Sequence, residues 1–176
     1  MLGVCRKVTY AKDGKVESVE QTMEAYIRGM ADSFRDFLPK RPIQTFLPPK
    51  TQLERPSDAE IQRNQDKGYN RAVNMIVWAV RHAMIVGKYG VTQLCTVMAI
   101  PSDAAFEAAM HAIAFMEQRS KKGVKFSASG NRLPVFMTDA SNKPDPHDGI
   151  CHAGFPVHLA HGTLRTKSSK LQHSVL

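Results

Sequence analysis

The sequence predicts an α+β chain in which helices fill the middle and strands occupy both ends. Three observations carry this. An Asp13-Gly14 turn sits between valine-rich runs, apolar residues recur at spacings of three and four from Met23 to Met116, and the pattern turns to short β-like runs after Gly123.

Val4, Val8, Val16 and Val19 flank Lys12-Asp13-Gly14, and Asp-Gly between strand-like runs is a strong short-range hairpin signal. Thr22 is placed to cap a helix whose apolar face is Met23, Tyr26, Ile27, Met30 and Phe34, ending near Phe37 before Pro39. Pro39, Pro42, Pro48, Pro49 and Pro56 crowd the next stretch. Each fixes φ and removes a donor, so residues 39–56 read as an extended linker between two structural units.

Ser57 followed by Glu60 is a capping-box pattern and starts a short helix toward Lys67. A longer helix runs from Tyr69 to Val86 on a stripe of Val73, Ile76, Val77, Val80 and Met84. After Gly87-Lys88-Tyr89-Gly90, helical character resumes from Val91 to Ala99. Pro101-Ser102 then opens a helix from Asp103 to Ser120, with Phe106, Ala109, Met110, Ile113 and Met116 on its core side. Residues 123–127, 133–138, 150–159 and 163–171 read as strands joined by turns at Ser129-Gly130-Asn131 and His161-Gly162.

Composition sets the classes of partner. Lys plus Arg number 24 against 16 Asp plus Glu, giving a net charge of +8 and a pI near 9.6, which favours a polyanionic partner such as nucleic acid. Apolar residues make up 43% of the chain, enough for a buried core. No apolar run approaches the roughly 20 residues that span a bilayer. The N-terminus carries no signal-peptide pattern, so an intracellular protein, cytoplasmic or nuclear and without a membrane partner, is expected. Cys5, Cys95 and Cys151 are too far apart for a Cys-x-x-Cys knuckle and read as reduced thiols.

From Tyr69 onward the spacing of bulky residues resembles the copia-type LTR retrotransposon Pol polyprotein, in the segment that joins reverse transcriptase to RNase H. Tyr69, Val73, Ile76 and Trp78 stand where that family has a Tyr-x-x-x-Val-Gly-x-Leu-x-Tyr run, continued by Tyr89, Val91, Leu94 and Pro101. Phe106, Ala108, Ala109, Ile113 and Phe115 resemble the helix that follows, and Gly123-Val124-Lys125-Phe126 resembles its Gly-Leu-x-Tyr strand. Thr138-Asp139-Ala140-Ser141 takes the place of the Ser-Asp-Ala-Asp motif that opens the RNase H domain, while Gly154-Phe155, Leu159 and Ser168-Ser169-Lys170 are similar to its next two strands. Upstream, Leu2-Gly3-Val4, Asp13-Gly14, Gln21, Tyr26-Ile27 and Phe34 resemble the end of the palm and the start of the thumb. The chain departs from the family where Ala83-Met84-Ile85-Val86 replaces a Thr-Arg-Pro-Asp run, and at Asn74 and Thr166.

The resemblance implies four segments: a palm and thumb remnant at 1–38, the proline-rich linker at 39–56, a helical connection at 57–122, and a truncated, RNase H-like mixed sheet at 123–176. It implies a piece of a longer polyprotein whose ancestral role is RNA-directed DNA synthesis and cleavage of RNA/DNA hybrids. Asp139 resembles the first metal-binding aspartate of RNase H. Two-metal phosphodiester hydrolysis needs several carboxylates around hard Mg²⁺ ions, and here no Asp or Glu follows Asp148. The polymerase Tyr-x-Asp-Asp is absent as well. Mg²⁺ therefore belongs to the intact parent enzyme, no cofactor is expected for this chain, and catalysis by it alone is not expected. An RNA/DNA hybrid, or other nucleic acid, is the expected partner beside the rest of the polyprotein. Arg119, Lys121, Lys122, Lys125, Lys143, Arg165, Lys167 and Lys170 are the candidate phosphate contacts.

Two other patterns compete. Gly87-Lys88-Tyr89-Gly90 resembles the Gly-x-x-Gly loop with which KH domains clamp a nucleic-acid backbone, which would make the chain a small basic binding module; a helix break with a glycine cap is the plainer reading. His147, Cys151, His152, His158 and His161 suggest zinc, but adjacent Cys151 and His152 would point to opposite faces of a strand, which favours a solvated hairpin. Asp145 and Asp148 read as turn formers around Pro146.

Overall fold

The computed structural model describes residues 3–48, 56–129, 133–136, 139–140, 152–160 and 162–170, with the backbone alone at 136, 139–140, 152–156, 162 and 164–170. The fold is α+β. It divides into two compact units, one of Met1–Arg6 with Gln21–Gly123 and the other of Lys7–Glu20 with Val124–Leu176.

Strands β1 (Cys5–Tyr10) and β2 (Val16–Thr22) form the expected hairpin. Gly14 takes φ +79, Gly14 N–H donates to Ala11 O (3.0 Å), and Asp13 Oδ1 accepts from Lys15 N–H (3.1 Å), which closes the turn. Strand β3 (Val124–Ser127) adds to this hairpin in the order β1-β2-β3. The sequence places 123–127 with the C-terminal strands; β3 pairs with β2, where Ala128 N–H donates to Glu17 O (2.9 Å), and it also meets the β6–β7 hairpin, where Ser127 N–H donates to Ala160 O (2.8 Å).

Helix α1 (Glu24–Ser33) starts one residue later than expected. Thr22 ends β2, and Met23 occupies the cap position with no side-chain hydrogen bond. Met23, Ile27, Met30 and Phe34 are buried as the spacing requires. A 3₁₀ turn, Arg35–Phe37, finishes the segment. Helices α2 (Asp58–Asp66), α3 (Tyr69–His82), α4 (Lys88–Thr96) and α5 (Asp103–Gln118) follow. Ser57 Oγ accepts from Glu60 N–H (3.4 Å) and Ser102 Oγ from Ala105 N–H (3.1 Å), so both sequence-marked caps form. The Glu60 carboxylate does not complete its own box; it accepts from Asp103 N–H (2.6 Å) and so caps α5.

Helix α5 is the axis of the helical unit. Ala105, Phe106 and every residue from Ala108 to Met116 are buried, with α1, α3, α2 and α4 packed around them. The alanines at 105, 108, 109, 112 and 114 let neighbouring backbones approach closely on several sides. Tyr69 is fully buried against α4, where its hydroxyl donates to Leu94 O (2.9 Å) and burial pushes its pKa upward.

The described part of the proline-rich stretch, 39–48, has no regular structure, yet it is bound to α5. Ile43 is buried and its N–H donates to Gln118 Oε1 (2.9 Å), while Gln118 Nε2 donates to Arg41 O (3.0 Å). Arg119 donates to Ile43 O (2.8 Å), the His111 ring meets Thr45 O (3.0 Å), and Phe46 stands edge-on to Phe115 at 5.7 Å. The helices on both sides of these prolines share one core.

In the other unit, β4 (Val135–Phe136) and β5 (Asp139–Ala140) pair antiparallel with β6 (His152–Leu159) in one continuous register, Val135 facing His158 and Asp139 facing Gly154. The far edge of β6 pairs antiparallel with β7 (Gly162–Lys170), with a register shift between Val157 and His158. A mixed sheet is expected from the sequence; the pairings described are antiparallel, as short connections dictate. No helix among the described residues is long and apolar enough to cross a membrane.

Candidate nucleic-acid interface

The C-terminal end of α5 gathers positive charge. Its last turn is followed by Arg119, Lys121 and Lys122, and the final carbonyls of a helix carry partial negative charge that favours cations there by about 0.3–1 kcal/mol each. The two Gln118 hydrogen bonds draw the 41–43 backbone to the same end, so exposed Lys40 and Arg41 join exposed Lys121 and Lys122 within one unit. A cleft of about 570 Å³ opens here, lined by Arg35, Asp36, Lys40, Arg41, Glu117 and Gln118 among others; Arg35 is paired with Glu117, so Lys40 and Arg41 are its cations left to face an anion, with Asp36 beside them.

Not every cation in this region is available to an anion. Arg35 makes a bidentate pair with Glu117 (2.7 and 3.0 Å) and a further contact to Asp32 (2.7 Å), which hold its guanidinium charged. Arg119, predicted as a phosphate contact, is half-buried: it donates to Ile43 O and lies over the Phe115 ring at 4.0 Å. Its role in the structure is to hold the 39–48 stretch. Of the other predicted contacts, Lys121 and Lys122 sit in this cluster and Lys125 is exposed on β3 in the other unit. Arg165, Lys167 and Lys170 are placed by register opposite Val157, Phe155 and His152, and Lys143 lies outside the described residues.

Lys40 and Arg41 are absent from the sequence-level set because a proline-rich segment reads as a spacer. The available signal was two consecutive cations between prolines, Pro39-Lys40-Arg41-Pro42.

Asp139 stands on the edge strand opposite Gly154. Asp145 and Asp148 lie outside the described residues, and among the described residues no three His, Cys, Asp or Glu side chains converge on a metal position. Of the histidine-rich stretch, His147, Cys151 and His161 lie outside the described residues, while His158 Nδ1 meets Thr163 Oγ1 at 3.1 Å.

The Gly87-Lys88-Tyr89-Gly90 tetrapeptide spans the end of a 3₁₀ turn (Ile85–Gly87) and the first turn of α4. Both glycines are buried beneath Phe46, and a Cβ at either would overlap its ring. They admit an aromatic side chain of the same chain, an arrangement that differs from a loop open to a nucleic-acid backbone.

No protein-family model, curated protein or solved structure matches the chain.

Proposed function

We propose that this chain is the stretch of a copia-type retrotransposon polymerase linking reverse transcriptase to RNase H, and that alone it holds an RNA/DNA hybrid without cutting it. The observation that carries the reading is strand order. The strand bearing Asp139 runs along one edge of β6, whose other edge takes β7, in the sequence order that the resemblance gives to the first strands of an RNase H domain. The N-terminal hairpin and helix, then the helices of 57–122, precede it in the order the resemblance gives to a palm and thumb remnant and a connection.

Binding rests on Lys40, Arg41, Lys121 and Lys122, whose exposed charges share one end of the helical unit. Such contacts give sequence-independent, salt-sensitive affinity by releasing counterions. The resemblance gives Asp139 the place of the first metal-binding aspartate, and on this reading Mg²⁺ is assigned to the intact parent enzyme.

The test is a fluorescent RNA/DNA hybrid titrated with the chain across a salt series, with Mg²⁺ present and the products run on a gel. Salt-sensitive binding with intact hybrid is the expected result. Metal-dependent cleavage, or binding of unchanged strength from low to moderate salt, contradicts the proposal.

A further inference from the structure

The Arg35–Phe37 turn contributes to two depressions of the helical unit. Arg35 lines the cationic cleft, whereas Phe37 lines an open groove of about 790 Å³ with Gln62, Arg63, Asp66 and Lys67 of α2 and its C-terminal cap.

Phe37 remains 47% exposed although its ring is fixed edge-on against buried Phe106, with centroids 5.4 Å apart and planes at 89°. A rigid, half-exposed ring costs hydration free energy but offers a partner a stacking surface without loss of side-chain entropy. The groups beside it suit a base. Gln62 and Asp66, joined by a 2.9 Å hydrogen bond, present an amide and a carboxylate of the kind that bond to base edges. Arg63 is engaged by Asp103, which leaves Lys67, its ammonium 5.2 Å from the Phe106 ring, as the cation placed for a neighbouring phosphate. An aromatic platform next to a cationic cleft is the arrangement that binds single strands, by stacking bases and tracking the backbone.

We infer that the Phe37 groove takes one base of a single-stranded nucleic acid whose backbone continues into the Lys40–Arg41 cleft. This rests on the nucleic-acid reading above and adds a single-strand site to a duplex surface.

The test uses the whole chain and two probes, a short labelled single-stranded DNA and a blunt RNA/DNA hybrid, with Phe37→Leu and Phe37→Trp variants checked for fold by urea unfolding. Phe37→Leu keeps apolar bulk and removes stacking. It should weaken single-strand binding roughly tenfold, from one lost base–aromatic stack, and leave the hybrid unchanged. Phe37→Trp should retain the affinity, and its indole fluorescence should be quenched by the single strand and not by the hybrid. No loss of single-strand binding in Phe37→Leu, equal loss for both probes, or no selective quenching overturns the inference. Single-strand binding by a chain that ignores the hybrid would keep the groove and remove the duplex proposal instead.

Discussion

Gly90→Ala is a substitution whose sign depends on where Phe46 lies. Gly90 has helical backbone in the first turn of α4, where alanine is favoured over glycine by about 1 kcal/mol, so on propensity alone the change stabilises. The structure predicts the opposite. The new Cβ would meet the Phe46 ring and Leu47, and overpacking of this kind costs about 1–3 kcal/mol, which outweighs the propensity gain. A net loss of up to about 2 kcal/mol is expected, read as a fall in the urea midpoint and a drop in Tm of a few degrees, on the order of 4 °C, for a chain of this size. The decisive comparison is the same change in a Phe46→Ala background. With the ring gone, Gly90→Ala should become neutral or stabilising, a coupling of about 1–3 kcal/mol between residues distant in sequence. If Gly90→Ala stabilises the unmodified chain, or if its effect is the same in both backgrounds, the packing of Phe46 on these glycines is wrong. A KH-like role predicts a different outcome, loss of nucleic-acid binding without coupling to Phe46.

Burial, with Arg41 nearby, holds the His111 pKa below the ordinary histidine value, although its contact with Thr45 O acts in the opposite direction. As pH falls through about 6.5 the unfolded chain takes up its proton first, so stability should decline from there until the lower folded pKa is passed, then level off; His111→Gln should remove that part of the slope in urea unfolding at each pH. Arg119→Ala should cost about 2–3 kcal/mol by leaving Ile43 O without its charged donor and Phe115 without its cation, whereas Lys121→Gln should change the unfolding free energy by less than about 0.5 kcal/mol. Ala160 holds φ +50 in the β6–β7 turn, so Ala160→Gly should relieve strain and stabilise the chain by about 0.5–1 kcal/mol in thermal unfolding; destabilisation would refute the left-handed turn.

The sequence was most informative where local chemistry decides. Ser57 and Ser102 each bond a backbone N–H three residues on, and the helical stripes through Ile27, Ile76 and Ile113 follow from spacing alone. Thr22 has the right chemistry for a cap, but β2 continues through it, so Met23 takes that place. The prolines of 39–48 forbid regular structure, which local rules recover. The attachment of this stretch to α5 depends on Gln118 bonds spanning 75 and 77 residues, which no local pattern contains. The same limit applies to the candidate site. Net charge and clustering point to Lys121 and Lys122, but only the fold brings Lys40 and Arg41 to them and occupies Arg119 with Ile43. Gly87 and Gly90 mark a break in the helical pattern; that their missing side chains make room for Phe46 emerges from packing.

We propose that one end of the helical unit binds a hybrid through Lys40, Arg41, Lys121 and Lys122. The most direct test is the salt dependence of hybrid affinity for the unmodified chain and for Lys40→Gln/Arg41→Gln/Lys121→Gln/Lys122→Gln. The slope of log affinity against log salt should shrink by roughly 3 to 4 when these four phosphate contacts are removed. An unchanged slope, or no hybrid binding by the unmodified chain at low salt, would contradict the claim.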